Sequence, residues 1–207
     1  MLYILGYWLI WLTGKLLFRF RIEGRRNIPQ GGAIIAPNHA SYWDPPLVGA
    51  AIDSYQVYFM AKRQLFRFPI FGTVLKMIHT FPVDRGKIDI AAFRKALRIL
   101  NGGKTLVVFP EGGRGKGGRL RSPQPGIAWI AHKTKFPVIP TLVVNTHRIR
   151  AFPRVTVRFG SPIYFETDQR GEDEKSRYRN FAYKVMEGII KLDREGQYQK
   201  APDKSGT

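Results

Sequence analysis

The chain is expected to form one α/β domain on a mixed, largely parallel central β-sheet covered by helices, with an N-terminal membrane-associated helix in front of it. Three observations predict this. Short apolar runs at 33–36, 105–109 and 138–144 lack the polar alternation of half-exposed strands, so they suit a sheet covered on both faces. Segments of helical pattern separate them, as in parallel sheets. The first eighteen residues are apolar and aromatic with a single charge, Lys15, unlike the rest. A length of 207 residues is ordinary for one domain with a real core, and 44% hydrophobic residues argue against disorder. The expected division is 1–20 as the membrane-associated helix, 21–195 as the folded domain and 196–207 as a flexible tail.

From Leu2 to Gly14 there is no charge, and Tyr3, Tyr7, Trp8 and Trp11 fall within the run. Lys15 and Leu16-Leu17-Phe18 follow, then Arg19 and Arg21. A bilayer span needs ~20 residues; with Lys15 snorkelling the run reaches about 17. Aromatics with cations at one end suit a helix in, or partly through, a membrane. A buried N-terminal helix is the alternative. The run lacks the basic front and small-residue cleavage site of a signal peptide.

A short strand from Arg21 leads into a turn at Pro29–Gly32, and Ala33–Ala36 is a buried strand. Pro45–Ile52 is a short helix. Gln56–Ala61, with Val57, Tyr58, Phe59 and Met60, is a strand. Pro69–Ile78 has helical pattern and Thr80–Val83 is a strand. Asp89 caps a helix through Leu100, which Gly102 ends. Thr105–Phe109 is a buried strand, Gly126–Thr134 a helix, Val138–Val144 a strand broken by Pro140, and Val155–Phe159 a further strand. Glu172–Leu192 is an amphipathic helix.

The net charge of +19 demands an explanation. Residues 112–165 hold ten Lys/Arg and no Asp/Glu. Nucleic acid, anionic lipid and phosphorylated substrates all suit such a stretch. The chain has no cysteine, which excludes disulfides, thiolate nucleophiles and cysteine-held metals. Its four histidines do not cluster.

In parallel sheets the ligand crevice lies beyond the strand C-termini, and the informative polar residues fall there. Asn38-His39-Ala40-Ser41-Tyr42-Trp43-Asp44 follows the first buried strand. On a regular helix His39 and Asp44 would point about 140° apart, so they meet only across a turn, which Pro45 favours at Asp44. Two readings fit: a general base with its orienting carboxylate, or a loop histidine beside a helix-capping aspartate. Two ligands with no third nearby argue against a metal. Lys62 follows another strand, and Asp84-Arg85 ends a third. Phe109-Pro110-Glu111-Gly112-Gly113-Arg114 ends the fourth. There, glycines let amides approach an anion and Arg114 offers a fork for phosphate. Glu111 could accept from a substrate hydroxyl or hold Arg114. No Gly-x-Ser-x-Gly elbow, P-loop or dinucleotide fingerprint is present.

Asn38-His39-x4-Asp44, Phe81-Pro82-Val83-Asp84-Arg85, Phe109-Pro110-Glu111-Gly112-Gly113-Arg114 and Val138-Ile139-Pro140 come in the order of the four blocks of the glycerolipid acyltransferases. With Ala61-Lys62…Leu65-Phe66…Pro69…Phe71-Gly72, the chain resembles the lysophosphatidic acid acyltransferase (PlsC-type) branch over roughly residues 20–195. It departs at Gly113, where the family usually has threonine or serine, and at His79, where it often has glycine.

The resemblance implies a glycerol-3-phosphate acyltransferase-like fold. It implies acyl transfer from acyl-CoA or acyl-carrier protein, as co-substrate, to the sn-2 hydroxyl of lysophosphatidic acid, giving phosphatidic acid. No cofactor or metal is implied. His39 would deprotonate the acceptor hydroxyl and Asp44 would orient the imidazole. Lys62, Arg85, Glu111, Gly112 and Arg114 would hold the glycerol phosphate. The expected setting is the cytoplasmic face of the cell membrane, with membrane lipids and no nucleic acid as partners. Glycerol 3-phosphate, another lysophospholipid or an amine lipid are alternative acceptors. A basic nucleic-acid-binding module is the alternative of a different class, and it leaves the motif order unexplained.

Overall fold

In a computed structural model of the chain, the described residues are 19–194 apart from 53, 55, 85, 87–88, 116–118 and 167–172. The expected membrane element, Arg85 and the tail therefore lie outside the described residues. Strands are β1 (Arg21–Glu23), β2 (Ile34–Pro37), β3 (Val57–Lys62), β4 (Thr80–Val83), β5 (Thr105–Val107), β6 (Val138–Val144) and β7 (Thr156–Phe159). Helices are α1 (Asp44–Ile52), α2 (Pro69–Met77), α3 (Ile90–Asn101), α4 (Gly126–Thr134) and α5 (Glu174–Lys191). The strands form one seven-stranded sheet in the order β1-β7-β6-β2-β5-β3-β4. Every neighbouring pair is parallel except β6 with β7.

The apolar runs form these strands because both faces are covered. On one face, Leu47, Val48, Ala50 and Ala51 of α1 pack on Ile35, Val57, Phe59 and Val107. On the other, α3, α4 and α5 bring Ala96, Leu100, Ile127, Ala131, Ala182 and Val185 onto Ile34, Leu106 and Val138. Alternate residues of β2, Ile34 and Ile35, thus serve opposite cores. Crossovers from β2 to β3 and from β5 to β6 step across the sheet in opposite directions, and the right-handed rule then puts α1 and α4 on opposite faces.

Helix ends follow local chemistry. Asp89 caps α3 by accepting from the Ala92 amide at 2.9 Å, and Asp173 caps α5 by accepting from Ser176 at 2.9 Å. His79, between α2 and β4, has φ +57°. That left-handed conformation accounts for the glycine the resemblance places there; here the ring stacks on Tyr58 with centroids 4.8 Å apart.

One expectation fails: Pro140 does not break β6. Its carbonyl accepts from Gly160 at 2.8 Å, so its missing N–H faces the same side, where the β7 ladder has already ended at Phe159. The proline costs one terminal bond and leaves the Ala36↔Pro140 register intact.

Asn38 extends the β2–β6 pairing with its side chain. It is fully buried, donates from Nδ2 to the Val143 carbonyl at 3.1 Å, and accepts on Oδ1 from the Val143 amide at 2.7 Å. Asn38→Leu, of similar size, removes both of these buried side-chain bonds to Val143. The expected loss is about 3 kcal/mol of stability, read as a lower urea midpoint at unchanged slope.

Candidate active site

The parallel strands end on one rim. Because Ile35 pairs with Val107 and Val107 with Phe59, Asn38 and Lys62 leave the sheet at the same level. Two strand spacings, about 10 Å, separate them. Phe109–Arg114 rises between them from β5, and Asp84 follows β4 directly.

The His39–Asp44 segment is a turn. Asp44 opens α1 and is completely buried. Its Oδ2 sits 2.9 Å from His39 Nδ1 and accepts from the Ala40 and Ser41 amides, each at 2.7 Å. Its Oδ1 accepts from the Thr146 hydroxyl, just past β6. With the Ala40 and Ser41 amides and the Thr146 hydroxyl already donating to it, the buried Asp44 carboxylate can only accept from the ring, which assigns the proton to Nδ1 and leaves Nε2 with its lone pair. Asp44 does not bond the amides of its own helix; it gathers the turn before it. The His39 side chain is 11% exposed and packs on Phe109, with ring centroids 4.2 Å apart.

Glu111 differs from its expected role. It is 1% exposed, and both oxygens are taken by main-chain donors: the His39 amide at 2.7 Å and the Arg121 amide at 2.8 Å. Its bonds go to main-chain amides and not to Arg114, and they fix the backbone of His39. Burial pushes its carboxyl up to about 7, against the pull of the two amides, and the Asp44 charge acts in the same direction as burial. The loop closes on His39 from the other side too, where the Gly115 amide donates to the His39 carbonyl at 2.8 Å. Gly112 has φ +64°, and a Cβ there would lie 2.9 Å from Gln124 Cγ, so any other residue would be strained in this turn and would push Gln124 aside.

The cations are outside. Arg114 is exposed, with its guanidinium 3.6 Å from the Tyr42 ring centre and Nη2 donating to the Tyr42 hydroxyl at 2.8 Å. Lys62 is exposed at the end of β3. Arg63 bridges Asp84 and Asp89 at 2.8 and 2.9 Å, which ties the ends of β3 and β4. The structure thus brings His39, Asp44, Glu111, Gly112 and Arg114 together, with Lys62 along the rim. Asn38, Thr146 and Tyr42 belong to this constellation and carried no role in the sequence reading. Asn38 had one signal: a polar residue that extends a buried strand directly before the histidine. Among the described residues no group of three His, Cys, Asp or Glu could hold a metal.

A family model described as Acyltransferase matches residues 19–144. A 1-acyl-sn-glycerol-3-phosphate acyltransferase of Cocos nucifera is 28% identical, covering 99% of this chain and 67% of its own length. Proteins of the same name from Streptococcus pneumoniae and Bacillus subtilis are 28% and 32% identical over 82% and 58% of this chain. The chain spans 63% and 60% of those two, somewhat under two thirds of their length. Among solved structures, the 1-acyl-sn-glycerophosphate (LPA) acyltransferase PlsC of Thermotoga maritima aligns with TM-score 0.68 and 26% identity, covering 91% of this chain and 80% of that one.

The Glu111 geometry has a pH signature. The folded-state value near 7 lies above the ordinary 4.5 of the unfolded chain, so the folded protein holds a proton that the unfolded chain releases. That contribution is intact below pH 4.5 and is lost as pH rises through about 7, on the order of 3 kcal/mol in all. Urea midpoints should fall over this window in the parent protein and flatten in Glu111→Gln. A slope unchanged in the variant assigns the effect elsewhere.

Proposed function

The chain belongs to the acyltransferase family, and from that premise we propose that it moves a fatty acyl group from acyl-CoA or acyl-carrier protein to the sn-2 hydroxyl of lysophosphatidic acid, giving phosphatidic acid. The observation that carries this reading is the His39–Asp44 contact, with Asp44 buried under four donors and Nε2 left as the base.

The acceptor hydroxyl attacks the thioester carbonyl as His39 Nε2 takes its proton. Asp44 holds the tautomer and stabilises the imidazolium that forms, the part played by aspartate in a serine-protease triad. Collapse of the tetrahedral intermediate breaks the C–S bond, and the imidazolium proton goes to the departing thiolate. The substrate hydroxyl is the nucleophile, so no enzyme serine is required, and the donor brings its own activated acyl group, so no resident cofactor is required. Lys62, Arg85 and Arg114 are assigned to the acceptor phosphate, with Gly112 shaping the loop that carries Arg114. Glu111 is a positioning residue for His39. The proposed seat is the cytoplasmic face of the cell membrane, where the basic stretch 112–165 suits anionic lipid. Among the described residues no helix is long and apolar enough to cross a membrane.

Purified protein with lysophosphatidate and either donor should yield phosphatidate by mass; no product with either donor overturns the reading. His39→Ala should lower kcat by about a thousandfold while lysophosphatidate binding persists. Arg114→Ala should raise the acceptor KM by roughly tenfold with a smaller change in kcat, since it removes a charge-assisted fork from the phosphate. An unchanged acceptor KM takes Arg114 out of the phosphate site.

A further inference from the structure

Helix α2 is turned inside out. Of its nine residues only Gly72 and Leu75 are buried. Ile70 is 84% exposed, Phe71 49%, Val74 45% and Met77 46%, with Phe68 just before the helix at 64%. Ile70, Val74 and Met77 fall at i, i+4 and i+7, with Phe71 beside them, so the exposed apolar side chains form one stripe. An amphipathic helix normally buries such a stripe. Here the attachment is made instead by Gly72: a Cβ at this position would lie 2.8 Å from the Phe66 carbonyl, so the backbone seats directly on the preceding 3-10 turn. That contact fixes the orientation that sends the stripe outward.

We infer that this face of α2 is a membrane-contact surface that inserts into an anionic phospholipid bilayer beside the active site. The inference rests on the lipid acceptor proposed above. Charge complementarity supports it. From Lys62 to His79 the chain has no acid, and while Arg63 is held by Asp84 and Asp89, Lys62, Arg67 and Lys76 add positive charge around the helix. Arg67 is exposed just before Phe68 at the start of the stripe, placed for phosphate headgroups while Ile70, Phe71 and Val74 enter the acyl region, and Lys76 is exposed on the helix flank away from the stripe. Size favours a bilayer over a protein. A nine-residue helix is about 14 Å long, a strip well short of the ~800 Å² per side of a stable protein interface. Lipid accepts protruding side chains without a matching shape. Position completes the case: Lys62 ends β3, the turn Arg63–Arg67 follows without a gap, and Phe68 opens α2, so the stripe begins where the acceptor phosphate is assigned.

The chain has no cysteine, which allows a local test in the full-length protein. Ile70→Cys, Val74→Cys and, as a control on α5 across the sheet, Lys191→Cys each take one environment-sensitive fluorophore. Vesicles of phosphatidylglycerol and phosphatidylcholine in equal parts should shift the emission to the blue at 70 and 74, with quenching by brominated lipid, and leave 191 unchanged. No shift at 70 and 74, or a shift produced by acyl-carrier protein and not by vesicles, overturns the inference. The readout needs no turnover. Protein that shifts but makes no phosphatidate fails only the functional reading; protein that makes phosphatidate without a shift fails only this one. The unlabelled double variant Ile70→Asn/Val74→Asn should raise the KM for vesicle-borne lysophosphatidate about tenfold or more, with no change for a short-chain acceptor in free solution. Equal KM values in both assays would also contradict it.

Discussion

The buried carboxylate of Asp44 is the constraint on which the site depends. With no exposure to water, its charge is tolerable only if its lone pairs are filled. The four donors come from three places: the ring of His39, the amides of Ala40 and Ser41, and the hydroxyl of Thr146 beyond β6. Satisfying that one group folds the segment between β2 and α1 into a turn, draws the end of β6 across, and sets the tautomer of the histidine. Charge-assisted bonds of this kind are the strong ones. The reactive nitrogen and the local fold therefore share one cause.

Two buried acids act on His39, and they act on different parts of it. Asp44 holds the ring; Glu111 holds the main-chain amide. With Asn38 locked to Val143 on one side and the Gly115 amide on the His39 carbonyl, the residue is fixed at side chain and backbone alike. Precise placement of a base is worth orders of magnitude in rate, because the reacting atoms arrive already oriented. The cations are arranged the opposite way. Arg114 and Lys62 stand exposed on the rim, and Arg114 rests against Tyr42. Acids inside and cations outside give a site whose inner layer is rigid and whose outer layer is open to an anionic ligand.

Much of this was legible in the sequence. The unbroken apolar character of 33–36 and 105–109 gave buried parallel strands, and Asp89 and Gly102 marked the ends of α3 at the positions observed. The spacing of His39 and Asp44 required a turn before they could meet, and the turn is there. What the sequence did not show depends on register and depth. Pro140 looked like a strand breaker because its position relative to the end of β7 is a pairing fact. Glu111 looked like a ligand for substrate because burial of a single carboxylate in a glycine-rich loop has no pattern of its own. Thr146 is more than a hundred residues from Asp44 in the chain, and its hydroxyl carries no local signal. The outward stripe of α2 was invisible for a related reason: its periodicity is that of a helix that packs, and only the seat of Gly72 shows which side is turned away.

The central claim is that Asp44 holds His39 with the proton on Nδ1 and the lone pair on Nε2. Nitrogen-15 NMR of histidine-labelled protein, at a pH where the ring is neutral, reads this directly. The account requires a protonated Nδ1 and an unprotonated Nε2 for His39, with the preference weakened in Asp44→Asn. A His39 ring that carries its proton on Nε2 in the parent protein would contradict it.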